Sequence, residues 1–454
     1  MTYQATQERH NGSVGSEDLN RFAVLVRERL RLREGKEPPS RRLAGALSDL
    51  AEIGALAPGS RLPSERDLAQ AVGISRGTVA AAFNTLCETG LCERRHGSGT
   101  YLREAPPTGT PSFSGLLRAG TVLADLSTSV VPDPSHLVLP PIEVAALLRT
   151  PSGHGYDAEG DPRLRALLGG DVLITGGAQQ GIDLAARVLL RPGDRVLVEN
   201  PTYGGALSVF KRAGAHAVPV DLTDPRAVRA AIELHRPEVV YVVSVNNPTG
   251  AVLDLRHVAE LARAEDVVIV EDRTLTELVY EGDPPAPLAD AHPHGTVTVG
   301  SLSKVLWGGL RVGWLGAAEP LLARLAEAKQ DTDLATSAVS QRLAAELLER
   351  NPVAAWRAEL AGRRDYLTAA LAAALPEWTW ERPRGGMSLW ARLPGVDTDR
   401  FAALTRRYGV AVAPGSLFSA DGRHRDRLRL SFALPPVLLD QAVAGLVGAW
   451  RERG

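Results

Sequence analysis

Apolar side chains at Leu19, Phe22, Val26 and Leu30 recur with helical spacing, with polar residues filling most positions between them. The run REGKEPPS at 33–40 breaks that pattern. A second helix is predicted after Ser40, with Leu43, Leu47, Leu50 and Ile53 on one face. Residues 56–102 divide further. Ser64, with Asp67 three positions on, sets up a capping-box-like start for a short helix over 65–72 that turns Leu68 and Val72 inward. Gly73 stops it. Ser75 caps the next helix, whose inner face is Val79, Phe83 and Leu86, and Gly90 ends it. LCERRHGSGTYL then reads as strand, Gly-rich tip, strand. Two short helices joined by a tight glycine turn and followed by such a hairpin predict a helix-turn-helix with a wing.

Beyond REAPPTGTPSFSG (103–115), a linker composition, the texture changes. β-Branched runs alternate with helical segments: DVLIT (171–175), RVLVEN (195–200), VVYVVSV (239–245), VVIVED (267–272) and TVTVGS (296–301). Continuous apolar strands separated by helices predict a parallel α/β sheet covered on both faces. The chain is thus expected to be multidomain: a polar, disordered tail (1–15) and one helix in an extension (1–38), a winged helix (39–103), a linker (104–120) and an α/β domain (121–454).

Composition narrows the classes. A length of 454 residues allows two or three domains, and 44% hydrophobic with 23% charged residues is ordinary for a globular protein. No apolar run is long enough for a membrane span, and the polar N-terminus does not read as a signal peptide. Two cysteines, Cys87 and Cys92, make a disulfide framework unexpected and fit a reducing cytoplasm. No metal site is expected. A net charge of −2 excludes a globally basic protein, so a nucleic-acid contact must be local. Residues 41–103 carry eight arginines against six acidic residues, and the second helix of the pair opens with exposed polar groups, Ser75, Arg76 and Thr78. A helix N-terminus of this kind suits phosphates and base edges in a major groove of double-stranded DNA. A helical protein-interaction domain would account for the helices but not for helix-turn-helix and wing in this order.

PGSRLPSERDLA, GISRGTV and HGSGTYL together resemble the winged helix of GntR-type bacterial regulators over about sixty residues. That resemblance implies DNA contacts at Arg66, Arg76, Thr78, His96 and Gly97, beside the cap Ser75.

The basic residues are 47 arginines and four lysines, one of them Lys304 in GSLSKVLWGGLRVGW. A chain that uses arginine wherever charge suffices keeps a lysine where arginine cannot act, and an amine can lose its proton and form a Schiff base. Other groups end the predicted strands: a Gly-rich turn GGAQQ opening a helix, Tyr203, Asn247, Asp272, and later Arg429. Each signal alone reads as a turn, a core aromatic, a cap or an ion pair. Together they match what pyridoxal 5′-phosphate (PLP) needs: an amine, a carboxylate for its ring nitrogen, a stacking ring, a donor and a phosphate cradle.

From about 121 onward the chain resembles fold-type I aminotransferases, on GAQQ, NPTYGG, NNPTG, the Asp of VVIVED, SLSK, LRVGW, RGGMSLW, APGSLFS and LRLSF. The resemblance implies an internal aldimine at Lys304, Asp272 on the pyridine nitrogen, Asn247 on the phenolic oxygen and Tyr203 on the ring. Ala178, Gln179, Ser301, Ser303 and Arg311 would hold the phosphate, Arg429 the ligand carboxylate, and Tyr156 would reach the phosphate of a neighbouring subunit in a homodimer. It also implies a smaller α+β subdomain from about 325. Two departures stand out. Leu275 occupies the place of a tyrosine common in that family, and PRLRALLGGDVLIT is short of a helix and loop. From about residue 40 onward the chain looks like the MocR branch of GntR regulators. That implies a transcriptional regulator sensing an amino compound or PLP. The alternatives are an aminotransferase with an appended DNA-binding domain, and a regulator whose PLP site is dead.

Overall fold

The computed structural model describes residues 16–32, 38–52, 56, 60–88, 91–95, 99–102, 113–116, 122–141, 143–148 and 154–453. Two compact units divide between Thr110 and Pro111. The predicted tail, the wing tip with His96 and Gly97, the cap Gly90 and most of the expected linker lie outside the described residues.

In the first unit, α1 (Ser16–Leu32) and α2 (Pro39–Glu52) precede α3 (Glu65–Val72) and α4 (Arg76–Glu88), and β1 (Cys92–Arg95) pairs antiparallel with β2 (Gly99–Leu102). Leu68, Val79, Phe83 and Leu86 pack with Leu43, Leu47 and Leu50 in one core, and Phe22 and Val26 of α1 join it. The extension helix is therefore part of this unit, a placement that its sequence left open. Val72 is only partly buried, because α3 ends there and Gly73 turns the chain with a φ of 78°. Leu62 N–H donates to the Thr100 carbonyl at 2.9 Å and Leu102 N–H to that of Ser60 at 2.8 Å, fixing the wing to the strand-like approach to α3.

The second unit opens with α5 (Phe113–Leu116) and β3 (Ala124–Asp125), then α6 (Val144–Leu148) and α7 (Pro162–Leu167). The junction differs from expectation: α5 falls inside the predicted linker yet belongs to this unit. Its apolar residues Phe113 and Leu116 find a buried cluster with Trp390, Leu417 and Phe418. β4 (Val172–Thr175), β5 (Arg195–Val198), β6 (His216–Pro219), β7 (Val239–Val243), β8 (Val268–Asp272), β9 (Thr296–Ser301) and β10 (Gly313–Gly316) form a seven-stranded sheet in the order β4-β10-β9-β8-β7-β5-β6. β10 runs antiparallel to both neighbours, and the other pairs are parallel. Four buried valines and Tyr241 of β7 explain its continuous apolar reading: both faces of the strand are covered.

The C-terminal part holds a four-stranded antiparallel sheet, β11 (Thr379–Trp380), β12 (Ser388–Arg392), β14 (Ala413–Pro414) and β15 (Arg427–Ser431), in the order β11-β12-β15-β14. A short strand between β12 and β14, β13 (Val410–Ala411), pairs in parallel with β3 far upstream. Residues 124–131 thus share a core with the C-terminal part through Leu126, Val131, Val410 and Leu428. The short segment flagged before β4 is closed by a two-glycine turn. Gly170 N–H donates to the Arg165 carbonyl at 2.9 Å and Arg165 Nε to that of Val172 at 2.9 Å, so α7 runs straight into the strand.

Candidate functional site

In the first unit, the Ser75 hydroxyl receives Thr78 N–H at 3.1 Å and lies 2.8 Å from the Thr78 hydroxyl, capping α4. Ser64 caps α3 in the same way through Asp67 N–H at 3.1 Å. Glu65, at the start of α3, pairs with Arg94 of the wing at 3.2 Å and with Arg76 of α4 at 3.6 Å. Ser75, Arg66 and Arg76 are exposed and Thr78 is half-buried. One carboxylate thus holds a cation of α4 and a cation of the wing toward each other. Sequence reasoning missed Glu65, because that pairing spans 29 residues.

In the second unit the strand ends do converge. Ser301 ends β9, and Ser303, Lys304 and Arg311 lie on the connection from it to its antiparallel neighbour β10, where Leu302 N–H donates to the Val312 carbonyl at 3.0 Å. The Ser301 hydroxyl lies 3.0 Å from that of Ser303. Arg311 takes a left-handed φ of 54° and donates to the Gly176 carbonyl, which brings it to the start of α8 (Ala178–Leu189). There Gly177 has a φ of 115°, and a Cβ on it would stand 2.9 Å from Arg311 Nη2. The N–H groups of Ala178 and Gln179 precede the first intrahelical bond, which Gln180 makes to Gly177 at 3.1 Å. Two hydroxyls, a guanidinium and a helix N-terminus therefore surround one small space, a set suited to a phosphate.

Gln179 departs from its expected part. Its side-chain amide nitrogen donates to the Gly205 carbonyl at 3.1 Å and its oxygen accepts from the Tyr203 hydroxyl at 2.9 Å. Its backbone N–H stays at the start of α8, while the side chain fixes the ring of Tyr203. Burial, and then Asp272, push the Tyr203 phenol up, so it stays a donor.

Asp272 ends β8 and is buried. Tyr241 Oη donates to its Oδ2 at 3.0 Å and Thr274 N–H to its Oδ1 at 2.9 Å. Burial raises its carboxyl, with those bonds and Lys304 acting against the rise. Tyr241 was read only as part of an apolar strand, though its hydroxyl completes the site from the neighbouring strand. Lys304 Nζ donates to the Ser129 carbonyl at 2.5 Å. Burial, then Arg429, pull its ammonium down to about 8, with Asp272 opposing. Arg429, on β15, donates to Asn247 Oδ1 at 3.2 Å and to the Ser127 carbonyl, while its Nε is buried without a partner. Its guanidinium lies 4.6 Å over the Phe418 ring. Burial pulls it down to about 10, which leaves it charged at neutral pH.

The structure therefore brings together Lys304, Asp272, Tyr203, Asn247, Arg311 and Arg429. Tyr156 is not with them. It is 66% exposed, its ring 5.7 Å from His154. Leu275 is buried in the apolar core beside Val245 and Met387 and offers no donor. The donor set fits PLP on three counts: a glycine cradle with room for no Cβ beside Arg311, a buried carboxylate at the end of β8, and an orphaned Arg429 Nε.

Another chain of bonds, buried at its Lys329 end, supports the cradle. Lys329, fully buried, pairs with Asp333 at 2.8 Å, Asp333 receives Gln180 Nε2 at 2.7 Å, and Gln180 Oε1 receives Gly176 N–H at 2.5 Å. A second of the four lysines is thus tied to the phosphate turn, with no local sequence signal for it.

Comparisons with known proteins agree with this geometry. Residues 157–446 match the aminotransferase class I and II family, and residues 39–102 the gntR family of bacterial regulatory proteins. The chain is 31% identical over 455 residues to the HTH-type transcriptional regulator TauR of Rhodobacter capsulatus, covering 88% of this chain and 93% of the relative. It is 34% identical over 286 residues to aromatic-amino-acid aminotransferase 1 of Thermococcus litoralis, over 59% of this chain and 69% of that one. Among solved structures it resembles LysN, the α-aminoadipate aminotransferase of Thermus thermophilus, complexed with N-(5′-phosphopyridoxyl)-L-leucine. That match has 30% identity and a TM-score of 0.67, over 76% of this chain and 96% of that one. Among the described residues no helix is long and apolar enough to cross a membrane.

Proposed function

The chain belongs to the class I and II aminotransferase family and carries a gntR-family domain ahead of it, the MocR arrangement, and from this premise we propose a PLP-dependent, DNA-binding regulator that senses an amino compound or PLP through Lys304. PLP is the cofactor, and bound there it supplies an electrophilic carbon for amines. Lys304 is the amine that would hold it, and Arg429 would receive the carboxylate of an amino compound; a change at these two residues would be coupled to the affinity for DNA.

The residues divide the work. Asp272, supported by Tyr241, would hold the ring nitrogen, Asn247 the phenolic oxygen and Tyr203 the ring face. Ser301, Ser303, Arg311 and the Ala178 and Gln179 N–H groups take the phosphate. Arg429 takes the ligand's carboxylate. Tyr156, exposed in its own subunit, reaches the neighbouring site in a homodimer. Arg66, Ser75, Arg76, Thr78, His96 and Gly97 meet the operator, which places the protein in the cytoplasm.

One observation carries the reading: a buried amine pulled down to about 8 sits beside a buried carboxylate and a buried arginine, in a chain that also carries an α4 and wing joined through Glu65. Visible absorption of the wild type beside Lys304→Ala, after PLP addition and removal of the excess, tests it. A band in the wild type alone is expected; its absence from both would bring forward a dead site kept for assembly. The presence of Lys304, Asp272 and Arg429 also favours an aminotransferase as the second reading. Repeated production of keto acid from an amino donor would select it, and a single half-reaction would not.

A further inference from the structure

α5 is the first helix of the second unit, and its Phe113 is directed at the candidate site. The Phe113 ring meets Tyr203 edge-on, with centroids 5.0 Å apart and planes at 84°. It meets Phe418 in the same manner at 6.3 Å and 90°. Phe418 is the ring beneath the Arg429 guanidinium. Phe113 therefore touches the ring assigned to the cofactor and, one residue removed, the cation assigned to the ligand carboxylate. Leu116 anchors the same helix in the cluster of Trp390, Leu417 and Phe418. Gly204 leaves room for this seat: a Cβ there would lie 2.8 Å from Phe113 Cδ2 and 2.3 Å from the Leu417 carbonyl oxygen.

Such contacts run both ways. A ring that packs against Tyr203 and Phe418 fixes their positions, and any shift they make when the site fills is passed to α5. The main chain beyond α5 is tied to the same groups, since Ser127 and Ser129 give their carbonyls to Arg429 and Lys304. We propose that Phe113 is a positioning residue of the ligand site through which occupancy is transmitted to the linker end. This rests on the regulator reading above and names the residue that carries its signal.

The test uses the full chain and two probes. Pyridoxamine 5′-phosphate offers ring and phosphate; N-(5′-phosphopyridoxyl)-L-leucine adds a carboxylate for Arg429. Affinities for both are measured on the wild type, Phe113→Ala and Phe113→Leu, with hydrogen exchange of residues 111–130 in each state. Phe113→Ala is expected to lower the preference for the carboxylate-bearing probe about two- to tenfold, the range of lost aromatic edge contacts. Phe113→Leu, which keeps apolar volume without a ring edge, should fall between. The same probe should slow exchange around α5 in the wild type and not in Phe113→Ala. General destabilisation would weaken both probes alike and leave their ratio unchanged. A wild type that binds both probes, with ratio and exchange pattern kept in Phe113→Ala, overturns this proposal alone. A wild type that binds neither overturns the function and this proposal with it.

Discussion

Lys304 Nζ lies 2.5 Å from the carbonyl oxygen of Ser129, 175 residues earlier in the chain. The amine that sequence composition singled out is therefore held by the main chain of the segment that enters the second unit. Its proton affinity is lowered chiefly because burial disfavours the charged form.

That lowering sets a pH profile. The nucleophile is the neutral amine, whose fraction grows about tenfold per pH unit below its pKa and levels off above it. PLP incorporation into the cofactor-free protein should therefore accelerate up to about pH 8 and then plateau. Stopped-flow absorbance from pH 6.5 to 9.5 reads this directly. A rise continuing to pH 9.5 would mean an amine with an ordinary pKa.

Tyr241 donates to Asp272 at 3.0 Å inside the protein. Tyr241→Phe leaves the buried carboxylate with one donor fewer and raises its proton affinity further. PLP affinity should drop about three- to tenfold, and stability by about 1 kcal/mol, the value of a buried hydrogen bond. Equilibrium dialysis and urea unfolding measure the two; an unchanged cofactor affinity would remove Tyr241 from the site.

Lys329 reaches the phosphate turn through Asp333, Gln180 and Gly176. Replacing it by methionine removes the cation from Asp333, which is itself exposed and keeps its bond to Gln180, so the stability cost stays within about 1 kcal/mol. Affinity for inorganic phosphate should fall with it, several-fold beyond the change at Asp333→Asn, in which a neutral amide can still bond Gln180. Calorimetric titration with phosphate separates the two variants.

Glu199 is buried, and burial pushes its carboxyl up to about 8, with Val243 N–H at 3.2 Å acting against the rise. Its folded pKa exceeds the unfolded value, so the folded state holds a proton that the unfolded state releases. Stability is thus full below about pH 4.5 and falls as pH rises toward 8, by about 1.4 kcal/mol per pH unit at most. Glu199→Gln should flatten this contribution and be more stable than the wild type at pH 8. Denaturant midpoints at pH 5, 6.5 and 8 decide it.

Arg76 and Arg94 share Glu65. On a duplex of arbitrary sequence, Arg76→Ala and Arg94→Ala should each lower the slope of log K against log salt by about 1. Glu65→Gln should strengthen this non-specific binding by releasing both cations. Fluorescence anisotropy over a salt series measures all three; a slope unchanged in Arg76→Ala would place α4 away from the phosphates.

Much of the architecture was legible because its signals are local. Capping at Ser64 and Ser75 and the turn at Gly73 depend on contacts within three or four residues. Strands β4, β5, β7, β8 and β9 announced themselves as apolar runs because they are covered on both faces. β6 and β10 did not. β6 is an edge strand with half-exposed and exposed residues, and β10, Gly313–Gly316, is a half-buried tryptophan and a buried leucine between glycines. Gly313 is required there because a Cβ would meet the Ala178 nitrogen at 2.8 Å, a constraint that no local pattern displays.

By itself, the sequence determined the chemical inventory: which amine, which carboxylate, which arginines, and at which strand ends. These follow from residue type and order along the chain, which folding does not alter. Only the tertiary structure decided who holds whom. Gln179 turned to Tyr203, Tyr241 came to Asp272, Lys329 reached the phosphate turn, and Phe113 left the expected linker to pack on the ligand site. Each of these joins residues far apart in sequence or on different elements. Burial made the choice, because a polar group removed from water must find a partner wherever the packed chain presents one.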